Sequence, residues 1–489
     1  SVWGSDAIGA VINIFTRRAS KEELSLETTV GNLNYRSGQI NLGFGDDQLS
    51  NSLSLSGQSS DGFDVFDAPN DPFAVPEPDS DGYRRIALSW LGDYRLSNNG
   101  TLDWILLLDQ GNTEFDSSFG GNESDYDNQL IGLSYRYNHQ QWNSEISIRQ
   151  NEENLINYGN GFTRDTGTFF NSTRTQINAH VGYQINADWA IQAGVEQYND
   201  DVSSATVFVE ERRTTQAAYL LTTGNFGDLS TQLSVRHDDV KDLDSDSTFN
   251  LSLGYQLNNG LKAIISRGKG FRAPSFNDLF FPDSAFFGGN PNLESESAFT
   301  NEFTLKQMLG NHELLFSYYD TEFTNLINFE LDANFVLRPF NVDRAEIDGY
   351  ELIYRYQSAN INHQFSYSYV DPQAVVVDPV TGNQSKDDLI RRVNHSFDYQ
   401  LTWQLDDWQL MFQALRNSER PDDDFATFPA TRVNLPSYNQ FNVTASYQFS
   451  SQLTLRAKLN DLTDEAPVQV LNFRSPGRQS FLTLQYNFQ

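Results

Sequence analysis

Apolar and polar residues alternate with a period of two along most of this chain, a pattern that fits half-buried β-strands. Phe249, Leu251, Leu253, Tyr255 and Leu257 alternate with Asn250, Ser252, Gly254 and Gln256. Ile177, Ala179, Val181, Tyr183 and Ile185 alternate with Asn178, His180, Gly182 and Gln184. The same holds for Phe441 to Phe449, Leu453 to Leu459, and Leu482 to Phe488. The opposite face is Asn, Gln, Ser, Thr and some charge. Segments of about ten residues match a tilted membrane strand. A soluble sandwich also alternates, so alternation fixes strands without fixing architecture.

The connections separate the two. Ten short turns fall near 46–47, 97–100, 138–140, 186–188, 224–228, 258–260, 309–311, 358–360, 406–407 and 450–452. Between them lie a short loop near 31–34 and ten longer ones. The longer ones are near 61–82, 112–126, 151–168, 200–210, 239–247, 268–296, 331–342, 371–391, 416–438 and 461–478. These connections join 22 strands in the 489 residues. Short turns on one side and long loops on the other are the pattern of outer-membrane barrels, and 22 strands is the plugged class. The expected fold is therefore all-β: a 22-stranded antiparallel transmembrane β-barrel. Closure pairs every backbone group around the ring, as hydrocarbon demands. Tyr, Phe and Trp near strand ends are expected to form interfacial girdles.

Composition removes other classes. There are 33 basic against 65 acidic residues, a net charge of −32, which argues against nucleic acid as a partner. Cysteine is absent, which excludes disulfides, thiolate metal sites and cysteine nucleophiles. No run of about 18 apolar residues exists, which excludes helical membrane spans but not strands. The chain opens on Ser1 with no secretory leader, so an exported protein of this kind is expected to begin further upstream.

Acidic residues gather in two neighbouring loops. Loop 61–82 holds Asp61, Asp64, Asp67, Asp71, Glu77, Asp79 and Asp81, and the next long loop adds Asp116, Asp125 and Asp127. Clustered carboxylates on flexible loops supply the hard oxygen ligands that Ca²⁺ takes. Asp79-Ser80-Asp81-Gly82 has a carboxylate–spacer–carboxylate–Gly pattern suited to a tight cation loop. A solvated acidic face is the competing reading.

The first residues break the strand-and-turn pattern: Ser1-Val2-Trp3-Gly4-Ser5-Asp6-Ala7-Ile8-Gly9-Ala10-Val11-Ile12-Asn13-Ile14-Phe15-Thr16 reads as a small apolar unit. It resembles the end of the plug domain of TonB-dependent outer-membrane receptors. Gly270-Phe271-Arg272-Ala273-Pro274-Ser275, followed by Gly289-Asn290-Pro291-Asn292-Leu293-Glu294, resembles that family's strand–loop–strand segment. Phe488 matches the terminal aromatic of such barrels, although Gln489 follows it. Within the family the chain is most similar to the cobalamin (vitamin B12) receptor branch. The likeness is strongest in loop 61–82, around Ile390-Arg391-Arg392, from Asp424-Phe425 to Pro436, and at Asn460-Asp461-Leu462 with Gly477-Arg478.

The resemblance implies residues 1–20 as the end of a plug and 21–489 as the barrel, with the TonB box and most of the plug outside the chain. It implies energy-coupled uptake of a large scarce nutrient at the bacterial outer membrane, in contact with outer-membrane lipid, driven by the TonB energy-transducing protein, and no enzymatic activity. It implies calcium held by Asp64, Glu77, Asp79, Asp81, Asp116 and Asp127, with a backbone oxygen near Phe115. Glu77 stands at the family's amide-type position. Ser117, Arg391 and Phe425 fall where the branch touches cobalamin, with Phe425 where a Tyr is common. Arg391 alternatively pairs with Asp387 or Asp388. Phe280, Phe281, Phe286 and Phe287 are expected to pack their own loop rather than a cargo. A ferric siderophore or haem is the nearest alternative cargo; a passive channel or surface-binding barrel, and a rim hydrolase, are readings of other classes.

Other motifs carry little. Gly268-Lys269-Gly270-Phe271-Arg272-Ala273 matches a dinucleotide fingerprint, but it ends a strand and runs into Pro274 rather than a helix. The six histidines, His139, His180, His237, His312, His363 and His395, have no ligand spacing. Glu210-Glu211 and Asp422-Asp423-Asp424 read as solvated loop faces.

Overall fold

The computed structural model describes residues 4–5, 7–16, 22–68, 75, 77–117, 120–377, 384–427 and 429–488. Of the 25 strands among the described residues, three short ones (Gln384–Asp388, Arg420–Asp424 and Thr431–Leu435) stand outside the ring. The other 22 form one antiparallel barrel from Glu23–Gly31 to Gln479–Phe488. It closes where the first strand pairs with the last, from Leu24 opposite Phe488 to Gly31 opposite Phe481. No helix among the described residues is long and apolar enough to cross a membrane, so the crossing is by strands.

The alternation sorts the faces. Leu133, Ile148 and Ile177 follow one another across neighbouring strands, and all three are exposed on the outside. Ser134 and Ser147, one residue away, point inward, and Ser147 is buried. An exposed apolar band of this extent is stable only when a bilayer covers it. At the short-turn end the expected aromatics meet: Trp142 and Tyr183 at 4.5 Å, Trp408 and Tyr447 at 4.7 Å, and Tyr486 and Phe488 at 4.6 Å between ring centroids. They form an amphipathic girdle suited to the headgroup level.

Several strands run well past the expected ten residues. His312–Leu331 has 20 residues and Leu337–Gln357 has 21, so the loop expected over 331–342 shrinks to 332–336. The loops expected over 200–210 and 239–247 are likewise cut to 205–211 and 241–245. The cause is backbone satisfaction: cross-strand pairing beyond the bilayer gives each amide a partner that an open loop would have to find elsewhere. The dinucleotide-like glycines sit inside the strand Leu261–Arg272, with no helix following directly.

Residues 4–5 and 7–16 have no regular structure. The Ala273 amide donates to Ser5 Oγ at 3.1 Å, and Gly4 lies against the Arg236 guanidinium. The expected apolar unit does not pack together: Ile12, Ile14 and Phe15 are exposed, because the segment runs along a polar wall where Gly9 faces Thr300, Glu302, Ser317 and Tyr319. Residues 1–3, 6 and 17–20 of that expectation, with Asp71 and Gln489, lie outside the described residues.

Candidate functional site: an acidic loop cluster at the barrel mouth

Two neighbouring strands, Leu49–Ser60 and Tyr83–Arg95, deliver both ends of loop 61–82 to the long-loop end. Gly62 turns the chain at φ +67°, and any Cβ there would sit 1.8 Å from the Asp81 carbonyl oxygen. The loop therefore closes tightly on itself: the Asp81 amide donates to the Phe63 carbonyl at 3.1 Å, and the Val65 amide donates to Asp81 Oδ2 at 2.9 Å. The following long loop joins it. The Phe66 amide donates to Asp116 Oδ2 at 3.0 Å, the Gly82 amide to Glu114 Oε2 at 2.9 Å, and Asn122 Nδ2 to Glu77 Oε2 at 3.3 Å.

A cavity of about 80 Å³ lies between the two loops, lined by Glu77, Asp79, Asp81, Glu114, Phe115, Asn122 and Glu123. Asp64 Oδ1 and Asp116 Oδ1 are buried with no hydrogen-bond partner. Burial, then the charges of Asp81, Asp64 and Glu77, push the Asp116 carboxyl up to about 6 against the pull of the Phe66 amide. Burial also pushes Asp81 up, helped by Asp79, Asp64 and Glu114 and opposed by the Val65 amide. The loops thus hold carboxylates in a state that disfavours their charge. Among the described residues no three acidic or imidazole side chains already converge as a metal cage.

The structure gathers Asp64, Glu77, Asp79, Asp81, Phe115 and Asp116 around the two loops. It places Asp127 elsewhere, on the ladder opposite Gln110, whose Nε2 donates to Asp127 Oδ2 at 2.7 Å. Glu114 and Glu123 belong to the cluster and were missed in the sequence. They sit at facing strand ends, where only the register (Glu114 opposite Glu123) reveals them.

The residues expected to touch cargo lie on three loops, Ser117 directly after Asp116 and the other two away from the acidic cluster. The Ser117 carbonyl accepts from Asn160 Nδ2 at 3.5 Å. Phe425 is exposed beside the tip of the hairpin Arg420–Asp424/Thr431–Leu435. Arg391 does not take either expected partner: its Nε donates to Asp422 Oδ1 at 2.8 Å. Asp387 instead receives Arg432 Nη2 at 3.0 Å, and Asp388 receives Gln373 Nε2 at 2.5 Å. The hairpin register decides this, since the Arg391 amide also bonds the Pro421 carbonyl at 2.7 Å. Asp422, read in the sequence as part of a solvated face, is fully buried. Phe281 and Phe287 pack edge to face at 4.9 Å and Phe276 and Phe280 lie 6.1 Å apart, so that loop is packed by its own rings, with Phe286 left exposed.

A continuous set of contacts ties these loops together. Arg474 Nη1 reaches Asp64 Oδ2 at 2.8 Å and Nη2 reaches Asp67 Oδ2 at 2.5 Å, joining loop 461–478 to the acidic loop. The rings of Phe66 and Phe473 meet at 5.1 Å beside them. Arg420, almost fully buried, donates to the Val468 and Gln469 carbonyls, and the Leu471 amide donates to Asp422 Oδ2 at 2.8 Å. Arg391 to Asp422 extends the chain of contacts one loop further.

The profile of the family described as TonB dependent receptor-like, beta-barrel matches residues 29–462. The vitamin B12 transporter BtuB of Photobacterium profundum is 28% identical over 507 residues, covering 100% of this chain and 78% of that protein. The vitamin B12 transporter BtuB of Vibrio vulnificus is 26% identical over 511 residues, with the same coverage. Among solved structures, the siderophore receptor PirA of Acinetobacter baumannii superposes with a TM-score of 0.85 at 14% identity, over 100% of this chain and 83% of that one. At that identity the likeness shows the fold alone. With a closed 22-strand barrel and a profile match over most of its length, the chain belongs to the TonB-dependent receptors, the receptor-transporters of the bacterial outer membrane.

Proposed function

We propose that this barrel serves the energy-coupled uptake of cobalamin and that calcium orders its acidic loops. The cargo reading rests on the vitamin B12 transporters that match the whole chain. The calcium reading rests on one observation: two buried carboxylate oxygens, Asp64 Oδ1 and Asp116 Oδ1, lack any partner in a cluster of hard oxygen donors. That donor set fits a divalent hard cation and suits neither a soft metal nor an anion. Asp64, Glu77, Asp79, Asp81, Asp116 and the Phe115 backbone would hold it, with Glu114 added. Because no cage is preformed, binding would draw the two loops together and fix one wall of the mouth. A wall fixed beforehand lowers the ordering cost of cargo binding. Residues 1–20 are the end of the plug in this reading, and TonB is the energising partner.

Calorimetric titration of the full-length receptor with cobalamin, in calcium and then in chelator, tests both parts. Tight binding that weakens strongly in chelator is the expected result. Binding indifferent to calcium would return the acidic loops to a solvated face. No binding in either condition would sink the cargo and put siderophores next.

A further inference from the structure

The outward face carries a depression at the upper edge of its apolar band, with two arginines on its near side and Asp125, Asp127 and Asp165 on its far side. Strand register sets Val30, Arg36, Ser59, Arg84 and Asn112 side by side in one row across five strands. The same-face row beneath is Thr28, Gly38, Gly57, Ile86 and Gln110, and the next is Leu26, Ile40, Leu55, Leu88 and Leu108. Leu26, Ile40, Leu55 and Ile86 are all exposed, which marks this as the lipid side. The two arginines therefore stand just above the hydrocarbon-facing surface.

Two glycines make the floor between them. Gly38 and Gly57 are direct cross-strand partners. A Cβ at Gly38 would meet nothing within 4 Å, and one at Gly57 only the Arg85 carbonyl oxygen at 3.8 Å. A cavity of about 940 Å³ has Arg36, Gly38, Gly57, Arg84 and Ile86 in its lining. Its far wall carries Asp125, held by Arg164 at 3.1 Å, and Asp127, held by Gln110.

These two arginines differ from their neighbour on the strand of Arg84. Arg85, next in sequence and pointing to the lumen, is held by Asp109 through two bonds of 2.7 and 2.8 Å. Arg84 and Arg36 form no ion pair among the described residues; Arg36 Nη2 donates to Asn34 Oδ1 at 3.0 Å, and Asn34 in turn reaches Asp61. Two strand spacings place the arginines roughly 10 Å apart, within the joint reach of their side chains. Guanidinium groups match phosphate oxygens in a planar fork, and basic pockets beside membrane-facing surface hold phosphorylated headgroups.

We propose that this depression is a binding site for one phosphorylated lipid of the surrounding leaflet. Its phosphate sits between Arg36 and Arg84. Its acyl chain runs over Gly38 and Gly57 and down onto Ile40, Leu55 and Leu88, continuous with the bilayer contact. The arginines supply charge and the glycines supply room.

The test uses the full chain, purified and delipidated in neutral detergent, with diphosphoryl lipid A as the probe and native mass spectrometry as the readout. The expected result is one tightly retained lipid. The pair R36Q/R84Q weakens binding at least tenfold, and so does G38L/G57L, which keeps both charges and fills the floor. R267Q, removing an outward cation elsewhere on the barrel, leaves binding unchanged. Heat-modifiable gel migration confirms that each variant is a folded barrel. Equal binding by R36Q/R84Q would overturn the site, as would equal binding of the dephosphorylated lipid. Displacement by millimolar inorganic phosphate would overturn the lipid as its occupant.

Discussion

Arg391 Nε donates to Asp422 Oδ1 at 2.8 Å, and that ion pair joins a loop with a left-handed turn at Arg391 (φ +60°) to a buried carboxylate midway along the neighbouring hairpin. Asp422 also accepts the Leu471 amide at 2.8 Å and the Asp423 amide at 2.9 Å, so one carboxylate connects three loops. Burial raises its pKa, but the Leu471 amide, Arg391 and the Asp423 amide outweigh that and hold it below the usual carboxylate range.

Replacing that carboxylate should therefore loosen the mouth without opening the barrel. D422A takes the acceptor from two backbone donors, at about 1–3 kcal/mol for each buried donor, and frees the partly exposed Arg391 side chain to water. Amide exchange at Leu471 and Asp423 should accelerate sharply, while amides of the strands Tyr438–Gln448 and Leu453–Asn460 keep their protection. Unchanged exchange at Leu471 would mean that the loops are held by other contacts.

The acidic cluster should order itself as pH falls. The Asp116 carboxyl is pushed up to about 6, above the ordinary value of about 4, so the folded loop binds more protons than the unfolded loop between those values. By linkage its stability is greatest at the acidic side of that window and is lost as pH rises through about 6. In metal-free receptor, exchange of the amides from Val65 to Asp67, corrected for intrinsic rates, should be slower at pH 5 than at pH 7.5. A proton and a cation compete for the same oxygens, so calcium affinity should fall about tenfold per pH unit below about 6 for one competing proton. A flat calcium affinity from pH 7 to pH 5 would remove Asp116 from the ligand set.

How much of this was legible in the sequence depends on which distances matter. The barrel was readable because alternation and turn spacing are local: ten short turns and eleven other connections count the strands directly. Loop ends were not, because a strand such as Leu337–Gln357 continues past the bilayer wherever a partner edge is present. Asp64, Asp79 and Asp81 were legible as one dense loop, whereas Glu114 and Glu123 enter through cross-strand register. Arg474 was invisible as a loop clasp, since its partners Asp64 and Asp67 lie about four hundred residues away and meet it only when the last strand closes on the first. The Gly38/Gly57 floor is hidden for the same reason: each glycine alone looks like strand irregularity, and only register makes them a pair.

Neutralising single acids should separate repulsion from ligation. D81N and D116N each remove one charge from the cluster while keeping the side chain's size. In metal-free receptor both should make loop 61–82 more resistant to limited proteolysis, because the remaining carboxylates repel less. Both should also weaken calcium binding by at least tenfold, and D116N should abolish the pH dependence near 6. D127N, at the residue held by Gln110 on the barrel ladder, should leave calcium affinity within about twofold of the parent. Isothermal titration with calcium distinguishes the three variants, and an equal loss in D127N would show that the loops rearrange far enough to recruit it.

The N-terminal segment should be releasable from the wall by one methyl-bearing substitution. Gly4 has φ +75°, and a Cβ there would approach Arg236 Nη2 to 2.6 Å. Arg236 cannot yield readily: its side chain is fully buried, held by Glu196 at 2.8 Å and by Asp238 at 2.8 Å. G4V thus combines a left-handed backbone with a clash against a fixed guanidinium, a strain of about 1–3 kcal/mol for the backbone alone. The segment should move off the wall and take Ser5 with it, so the Ala273 amide, which donates to Ser5 Oγ, should lose its protection against exchange. G9V is the control, because a Cβ at Gly9 meets nothing within 4 Å. Loss of Ala273 protection in G4V but not in G9V would establish the Gly4–Arg236 contact as the anchor; equal protection in both would place the anchor elsewhere along the segment.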